Sequence, residues 1–356
     1  MDSSKDVIVN IMLEFVRAAV LERDPIIPHN TVIDWDELMD MSFEQGLLSW
    51  VWDGICKLPM ESQPFRQQRI NWGLSAQEIW NTYNYQKSVL KEMVVLCERE
   101  GMRLLVFKGF SLSSMYNKPR NRAAGDIDIF LFGDYSKGNA ILANNRLNRE
   151  TSKCSEFYFK GVKIENHKHF FPSLYKKYIV IDEYVSSKIS EAEKTVDGYY
   201  VFSNLMNLVI CVVHAVTHLA NTRDPLKLRS ILDIAVILNN DSKFTPSQCK
   251  AVMTQLGINK SFDLLVRMSE WILNIDLARY YTGNVPTSDV ESFKNLLIKR
   301  KWPIIIESGS KWKQFCQNRE RYRMLQWADS YLVCTKNEKM KQQLNKQLRI
   351  LNSIFK

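Results

Sequence analysis

The chain has 356 residues, of which 46% are hydrophobic and 24% charged, and its formal net charge is +9. That length and apolar content support a buried core in two or three lobes and exclude an intrinsically disordered chain. No apolar run approaches the roughly 20 residues a membrane-spanning helix needs, and the opening MDSSKDVIVN carries acids where a secretory signal would be basic, so a cytoplasmic protein with no membrane partner is expected. Seven cysteines, at 56, 97, 154, 211, 249, 316 and 334, form no CxxC pair, which argues against a disulfide framework or a zinc knuckle. The charge is uneven: the first hundred residues are acidic and residues 299–356 are strongly basic. The basic end reads either as a solvated helix surface or as an attractor for a polyanion such as RNA or a nucleotide's phosphates.

In chain order, Val7 to Val20 shows helical spacing, and Asp34 is placed to cap a following helix. Asn71 to Glu100 lacks proline and ends at Gly101, which predicts one long helix closed by a glycine C-cap. The pattern then changes. Arg103 to Phe107 suits a buried strand, Phe110 to Tyr116 a short helix, and Asp126 to Phe132 alternates acidic and apolar residues with the period of a strand. Asp134 to Leu147 reads as a helix. Glu156 to Lys160 and Val162 to Glu165 read as a hairpin turning at Gly161, and Tyr199 to Phe202 as a further strand. Ser203–Ala220, Pro225–Leu238, Pro246–Leu256 and Ser261–Leu273 return to helical periodicity. The expected fold is therefore α+β. A small mixed sheet in a core over 101–202 is flanked by a helical segment over 1–100 and a helical lobe over 203–356.

The chemistry-bearing segment runs from Phe107 to Phe132, FKGFSLSSMYNKPRNRAAGDIDIFLF. Asp126 and Asp128 are two apart, so on a strand they share a face. Two carboxylates that close repel each other and suit one or two hard cations such as Mg²⁺ or Mn²⁺. Paired ions of this kind can hold both the attacking and the leaving oxygen of an in-line displacement. Glu165 closes the strand VKIE and is the candidate third carboxylate, either as a metal ligand or base or as an exposed strand end. Lys108-Gly109 lies between a predicted strand and helix, where a glycine admits a phosphate to the backbone and the lysine adds charge. Arg120 and Arg122 could grip phosphate oxygens through paired N–H donors or serve as salt-bridge partners.

These residues resemble the nucleotidyltransferase-5 group of the polymerase β-like superfamily, which has a KG–helix–R–GDID–apolar pattern. The matching positions are Lys108, Gly109, Arg122, Gly125, Asp126, Ile127 and Asp128. VKIENHKHF resembles the group's next strand through Glu165 and His167, and the segment around His214, His218, Arg229 and Asp233 resembles its helical lobe. The resemblance covers about residues 100 to 240. It implies a nucleotidyltransferase fold, metal-dependent transfer of a nucleoside monophosphate from an NTP (ATP favoured), and Asp126 and Asp128 as metal ligands, with Glu165 completing the set. Nucleotide contacts would come from Lys108, Gly109, Ser111 and Arg122. Arg120, His167, His214 and His218 are further pocket candidates. One departure is Gly109-Phe110 where the superfamily often has Gly-Ser; another is a longer spacer before Asp126.

His214 and His218 share a helix face, but the glutamate a zinc protease places after its first histidine is missing, so a structural or substrate-contact role is expected. Asp233 is expected to pair with Arg229 one turn earlier. Three readings of function follow: a two-metal nucleotidyltransferase acting on a hydroxyl of a small molecule, protein or nucleic acid; a nucleotide- or partner-binding module of the same fold without turnover; and RNA binding through the basic end, which no RNA-binding motif supports.

Overall fold

A computed structural model describes residues 3–28, 31–144, 146–171, 176–219, 226–240 and 243–298. The basic stretch 299–356, and with it the RNA-binding reading and the last third of the expected carboxy-terminal lobe, lies outside the described residues. Three amino-terminal helices, α1 (Ser3–Val20), α2 (Trp35–Glu44) and α3 (Leu48–Ile55), lead into the long α4 (Arg66–Arg99). Asp34 caps α2 through its side-chain oxygen, which accepts from the backbone N–H groups of Asp36 and Glu37. Helix α4 closes as its sequence predicts: Gly101 takes φ +69°, and the Met102 N–H returns to the Cys97 carbonyl at 2.8 Å.

The sheet comprises β1 (Leu105–Phe107), β2 (Ile127–Phe130), β3 (Arg149–Glu150), β4 (Cys154–Phe159), β5 (Val162–His167), β6 (Glu193–Lys194) and β7 (Tyr200–Val201). Their order is β3-β4-β5-β2-β1-β7-β6, with β2/β5 and β1/β7 parallel and the other pairs antiparallel. The β4–β5 hairpin turns through Lys160 and Gly161, both at positive φ, which matches the right-handed twist of its strands. The helices α5 (Tyr135–Leu142) and α6 (Lys176–Ser187) follow β2 and β5, and α7 (Asn204–Leu219), α8 (Leu228–Asn239), α9 (Pro246–Gln255), α10 (Asn259–Leu273) and α11 (Thr287–Ile298) complete the described chain.

One expectation shifts. The short helix expected after Lys108 is present as a 3-10 helix over Gly109–Met115, whereas α5 stops at Leu142, with Asn144 at positive φ ending the element before Leu147. Neither α6 nor β6 is legible as a regular period: α6 runs KKYIVIDEYVSS and β6 is two exposed residues that pair only with β7.

Alternation along the strands divides the core. Val106, Ile127, Ile129, Phe157 and Ile164 pack under α4, against Leu90, Met93, Val94 and Cys97. Leu105 and Phe107 face the other way and join a larger core with α1, α3, α7, α8 and α10. The terminal lobes meet in this larger core. Arg17 of α1 donates to the Ile272 and Trp271 carbonyls at 2.9 and 2.7 Å, placing a cation on the last turn of α10. No helix among the described residues is long and apolar enough to cross a membrane.

Helix α3 lies so close to α1 that a Cβ on Gly54 would come within 2.5 Å of the Phe15 carbonyl oxygen. The obstacle is backbone, which cannot rotate away. Gly54→Ala should therefore destabilise the protein by roughly 1–3 kcal/mol despite the better helix propensity of alanine. Urea unfolding followed by circular dichroism checks this, and an unchanged or higher midpoint would contradict the close approach.

Candidate active site

The sheet register brings the acids together. Parallel pairing of β2 with β5 sets Asp128 opposite Glu165, and Asp126 lies one pleat before Asp128. Cys154 and Glu156 stand opposite His167 and Glu165 across the β4–β5 ladder, so all six side chains share the face turned toward α7 and α8. Asp126, Asp128, Glu156 and Glu165 floor a cleft of about 600 Å³ whose walls include Lys108, Gly109, Arg122, Lys153, Lys163, His214, His218, Lys227 and Arg229, with Cys154 and His167 buried beneath them.

The loop that delivers Asp126 is tied to three helices. Arg122 is 5% exposed and forks onto Asp233 of α8, its Nε and Nη2 donating to the two carboxylate oxygens at 2.8 and 2.7 Å. The Tyr116 hydroxyl donates to the same carboxylate at 2.7 Å. From α4, the Gln86 amide donates to the Ala124 carbonyl at 2.6 Å and its oxygen accepts from the Ala124 N–H. Asn121 donates to Asp53 of α3 at 2.6 Å and accepts from the Trp80 indole at 2.7 Å.

Within the cleft floor the carboxylates are neutralised unequally. Lys108, 7% exposed, places its ammonium 2.6 Å from Asp128. Its backbone sits at φ +55°, ψ −147°, a conformation a side-chain-bearing residue rarely adopts and one that costs on the order of 1–3 kcal/mol. The His167 Nε2 lies 2.7 Å from Asp128 and 3.4 Å from Glu165, while Nδ1 lies 3.1 Å from the His169 carbonyl. Lys163 bridges Asp126 and Glu165 at 3.4 and 3.3 Å. Burial pushes the Asp128 carboxyl up, but Lys108 and His167 outweigh it and hold the group well below the usual carboxylate range. Glu165 is likewise held low, its burial outweighed by His167 and the neighbouring lysines. Asp126 goes the other way: burial and then the charges of Asp128 and Glu165 raise it to about 6.

Several sequence expectations need correction. Asp233 pairs with Arg122, not Arg229, because Arg122 reaches it from the loop with both forks aligned. That pairing occupies the donors that were expected to meet phosphate. Arg120 stacks on Trp80, 4.0 Å from the ring centroid, and is absent from the cleft walls. The Ser111 hydroxyl donates to the Lys108 carbonyl at 2.8 Å inside the turn. His169 turns outward to Asp182. His214 and His218, by contrast, do line the cleft; their rings stack with centroids 4.2 Å apart, and burial followed by the charge of Lys108 pushes His214 well below its usual pKa.

Arg229 and Lys227 were not foreseen as cleft cations. Arg229 donates to the Ala123 carbonyl at 3.3 Å and, among the described residues, meets no carboxylate at ion-pair distance. The adjacent Arg122 charge and burial lower its pKa to about 10, so it stays cationic at neutral pH. The signal available in the sequence was the LRSILD spacing, which puts Arg229 and Asp233 on one face of α8. Past Gly125 and Arg229 the cleft opens into a second hollow of about 510 Å³, walled by Ser49, Ser75, Glu78, Ile79 and Thr82 of α3 and α4.

A family model described as "Uncharacterised nucleotidyltransferase" matches residues 31–274, more than half of the chain. The chain belongs to this family. Neither the curated proteins nor the solved structures contain a match to it. Membership extends the resemblance seen around the DID strand back to α2 and forward to the end of α10. It accords with the mixed sheet flanked by helices, and it supports nucleotidyl transfer as the general activity of this nucleotidyltransferase and an NTP as its substrate class.

The Lys108–Asp128 contact predicts non-additive stability effects. Lys108→Met leaves the strained backbone unchanged but strands a buried carboxylate, and should cost roughly 3–5 kcal/mol. Asp128→Asn in that background should recover about 1–3 kcal/mol of coupling. Urea midpoints of the four proteins measure this, and strictly additive losses would show that the pair carries no net interaction.

Proposed function

We propose that this cleft binds an NTP with Mg²⁺ or Mn²⁺ and transfers its nucleoside monophosphate to a hydroxyl acceptor. The observation that carries the reading is the β2/β5 register, which sets Glu165 beside Asp128 at the floor of a cleft whose wall carries Arg229, an arginine with no carboxylate at ion-pair distance among the described residues. The donor set fits a hard divalent cation. Asp126 and Glu165 already share one cationic group, the Lys163 ammonium, and oxygen ligands with room for phosphate are what Mg²⁺ prefers.

Asp126, Asp128 and Glu165 would hold the metal, which when bound neutralises phosphate charge and acidifies the acceptor hydroxyl. Arg229 and Lys227 would grip the triphosphate from the α8 side, taking the part first expected of Arg122. Gly109, whose missing side chain leaves the backbone open opposite Ala124, would let the chain approach a phosphate. The acceptor oxygen forms a bond to the α-phosphorus, the bond to the β-bridging oxygen breaks, pyrophosphate leaves, and the acceptor's proton passes to solvent. Glu165, held low by His167, is better suited to ligation than to taking the acceptor's proton. The low exposure of Asp128 and its tie to Lys108 favour a second reading, a module that binds nucleotide without turnover.

Pyrophosphate release from ATP and the other NTPs with Mg²⁺, over a panel of hydroxyl acceptors, separates the two. The enzyme reading expects turnover that falls at least about 100-fold in Asp126→Asn and in Asp128→Asn. It expects NTP affinity to weaken roughly 10- to 100-fold in Arg229→Ala, as for the loss of a charge-assisted hydrogen bond. Calorimetric NTP binding without pyrophosphate release by the wild type would favour the binding module, and no NTP binding at all would sink both.

A further inference from the structure

Beneath the three carboxylates lies a second, more compact donor set that shares Glu165 with them. Lys163 lies between Asp126 and Glu165, and Asp128 is drawn toward Lys108. Among the described residues, the group of three potential ligands whose donor atoms all lie within 4.8 Å of one another is Cys154, Glu165 and His167. The sheet builds it: Cys154 and His167 are directly cross-strand partners, and Glu165 is two residues before His167 on the same face.

From this geometry we propose a second cation subsite that takes a thiophilic transition-metal ion, zinc in the first place, on Cys154, Glu165 and His167. A tetrahedral zinc with bonds of about 2.3 Å to sulfur and 2.0–2.2 Å to nitrogen or oxygen separates neighbouring donors by roughly 3.2–3.7 Å. The observed separations are 3.4 Å from Glu165 Oε2 to His167 Nε2 and 3.8 Å from Cys154 Sγ to Glu165 Oε2. Asp128 Oδ1, 2.7 Å from the same Nε2, is the contact a bound ion would have to displace. The imidazole is oriented for the role, because its Nδ1 faces the His169 carbonyl and turns Nε2 toward the other donors. Thiol and imidazole discriminate against Mg²⁺, which takes oxygen ligands, so the two ions would be sorted by donor chemistry rather than by charge. On binding, the Cys154 thiol proton and any proton on Nε2 pass to solvent, and no electron is transferred. Lys153, 3.9 Å from Glu165, is the cation the metal would have to displace from that carboxylate.

The site does not depend on nucleotidyl transfer, and its test needs no nucleotide. The metal-free full-length protein is titrated with Co²⁺, then Zn²⁺, in excess Mg²⁺. The expected result is one Co²⁺ per chain with a thiolate-to-cobalt charge-transfer band in the near ultraviolet. Zinc displaces the band, Cys154→Ser abolishes it, and Asp126→Asn keeps it. Zinc affinity should fall at least about tenfold in Cys154→Ser, since the thiolate is the donor that favours zinc over magnesium. If Cys154→Ser does not fold, X-ray absorption of the zinc-loaded wild type decides the matter, with one sulfur neighbour at about 2.3 Å expected. A shell of nitrogen and oxygen alone, a band that survives in Cys154→Ser, or no binding of either ion would overturn the proposal.

Discussion

Three carboxylates on one face of two adjacent strands repel one another, and much of the surrounding architecture answers that repulsion. Lys108 reaches Asp128 from a strained turn, Lys163 stands between Asp126 and Glu165, and His167 touches two of the acids from behind. Compensation is uneven. Asp128 and Glu165 are held ionised, whereas Asp126, at the mouth of the strand, stays near 6 because burial and its two acidic neighbours outweigh Lys163 and Lys108. Net attraction survives at buried Asp128 and half-buried Glu165 because their partners are close and shielded from water; an exposed pair of the same kind would contribute little.

The flanking helices are part of the same solution. The segment before Asp126 has little regular structure of its own, and such a loop would be mobile if left to water. Instead Asp53, Trp80, Gln86 and Asp233, from α3, α4 and α8, each take one of its polar groups. The amino-terminal and carboxy-terminal helices are therefore needed by the acid strand as well as by the core. Their apolar faces meet one another in the larger core, on the same side of the sheet as the acids, while their polar residues hold the loop.

The strands and long helices were readable because their periods are local. Alternation in DIDIFLF, the Lys160-Gly161 turn and the Gly101 cap each depend on neighbours a few residues away. The acid cluster was readable for the same reason, since a two-residue spacing on one strand and an acid on the next need only correct pairing to converge. Partner choice was not local. Whether Asp233 meets Arg229 four residues away or Arg122 in a distant loop is decided by how α8 docks, and the nearer candidate lost because the loop arginine presents both forks. Ser111 and Arg120 carried the right chemistry, but a 3-10 turn directs the serine inward and Trp80 holds the arginine outside. Cys154 gave no sign at all in the sequence, because its neighbours in space come from the opposite strand of the hairpin.

Helix α8 presents Arg229 to the cleft and, one turn later, Asp233 to the loop arginine that steadies the acid strand. Both are fixed to one rigid rod seated between α7 and α10. A tilt of that rod shifts the cationic wall and the carboxylate floor together, so the width of the cleft and the alignment of its acids share a single mechanical degree of freedom. Substitutions beneath α8, remote from any reacting atom, would change both in step.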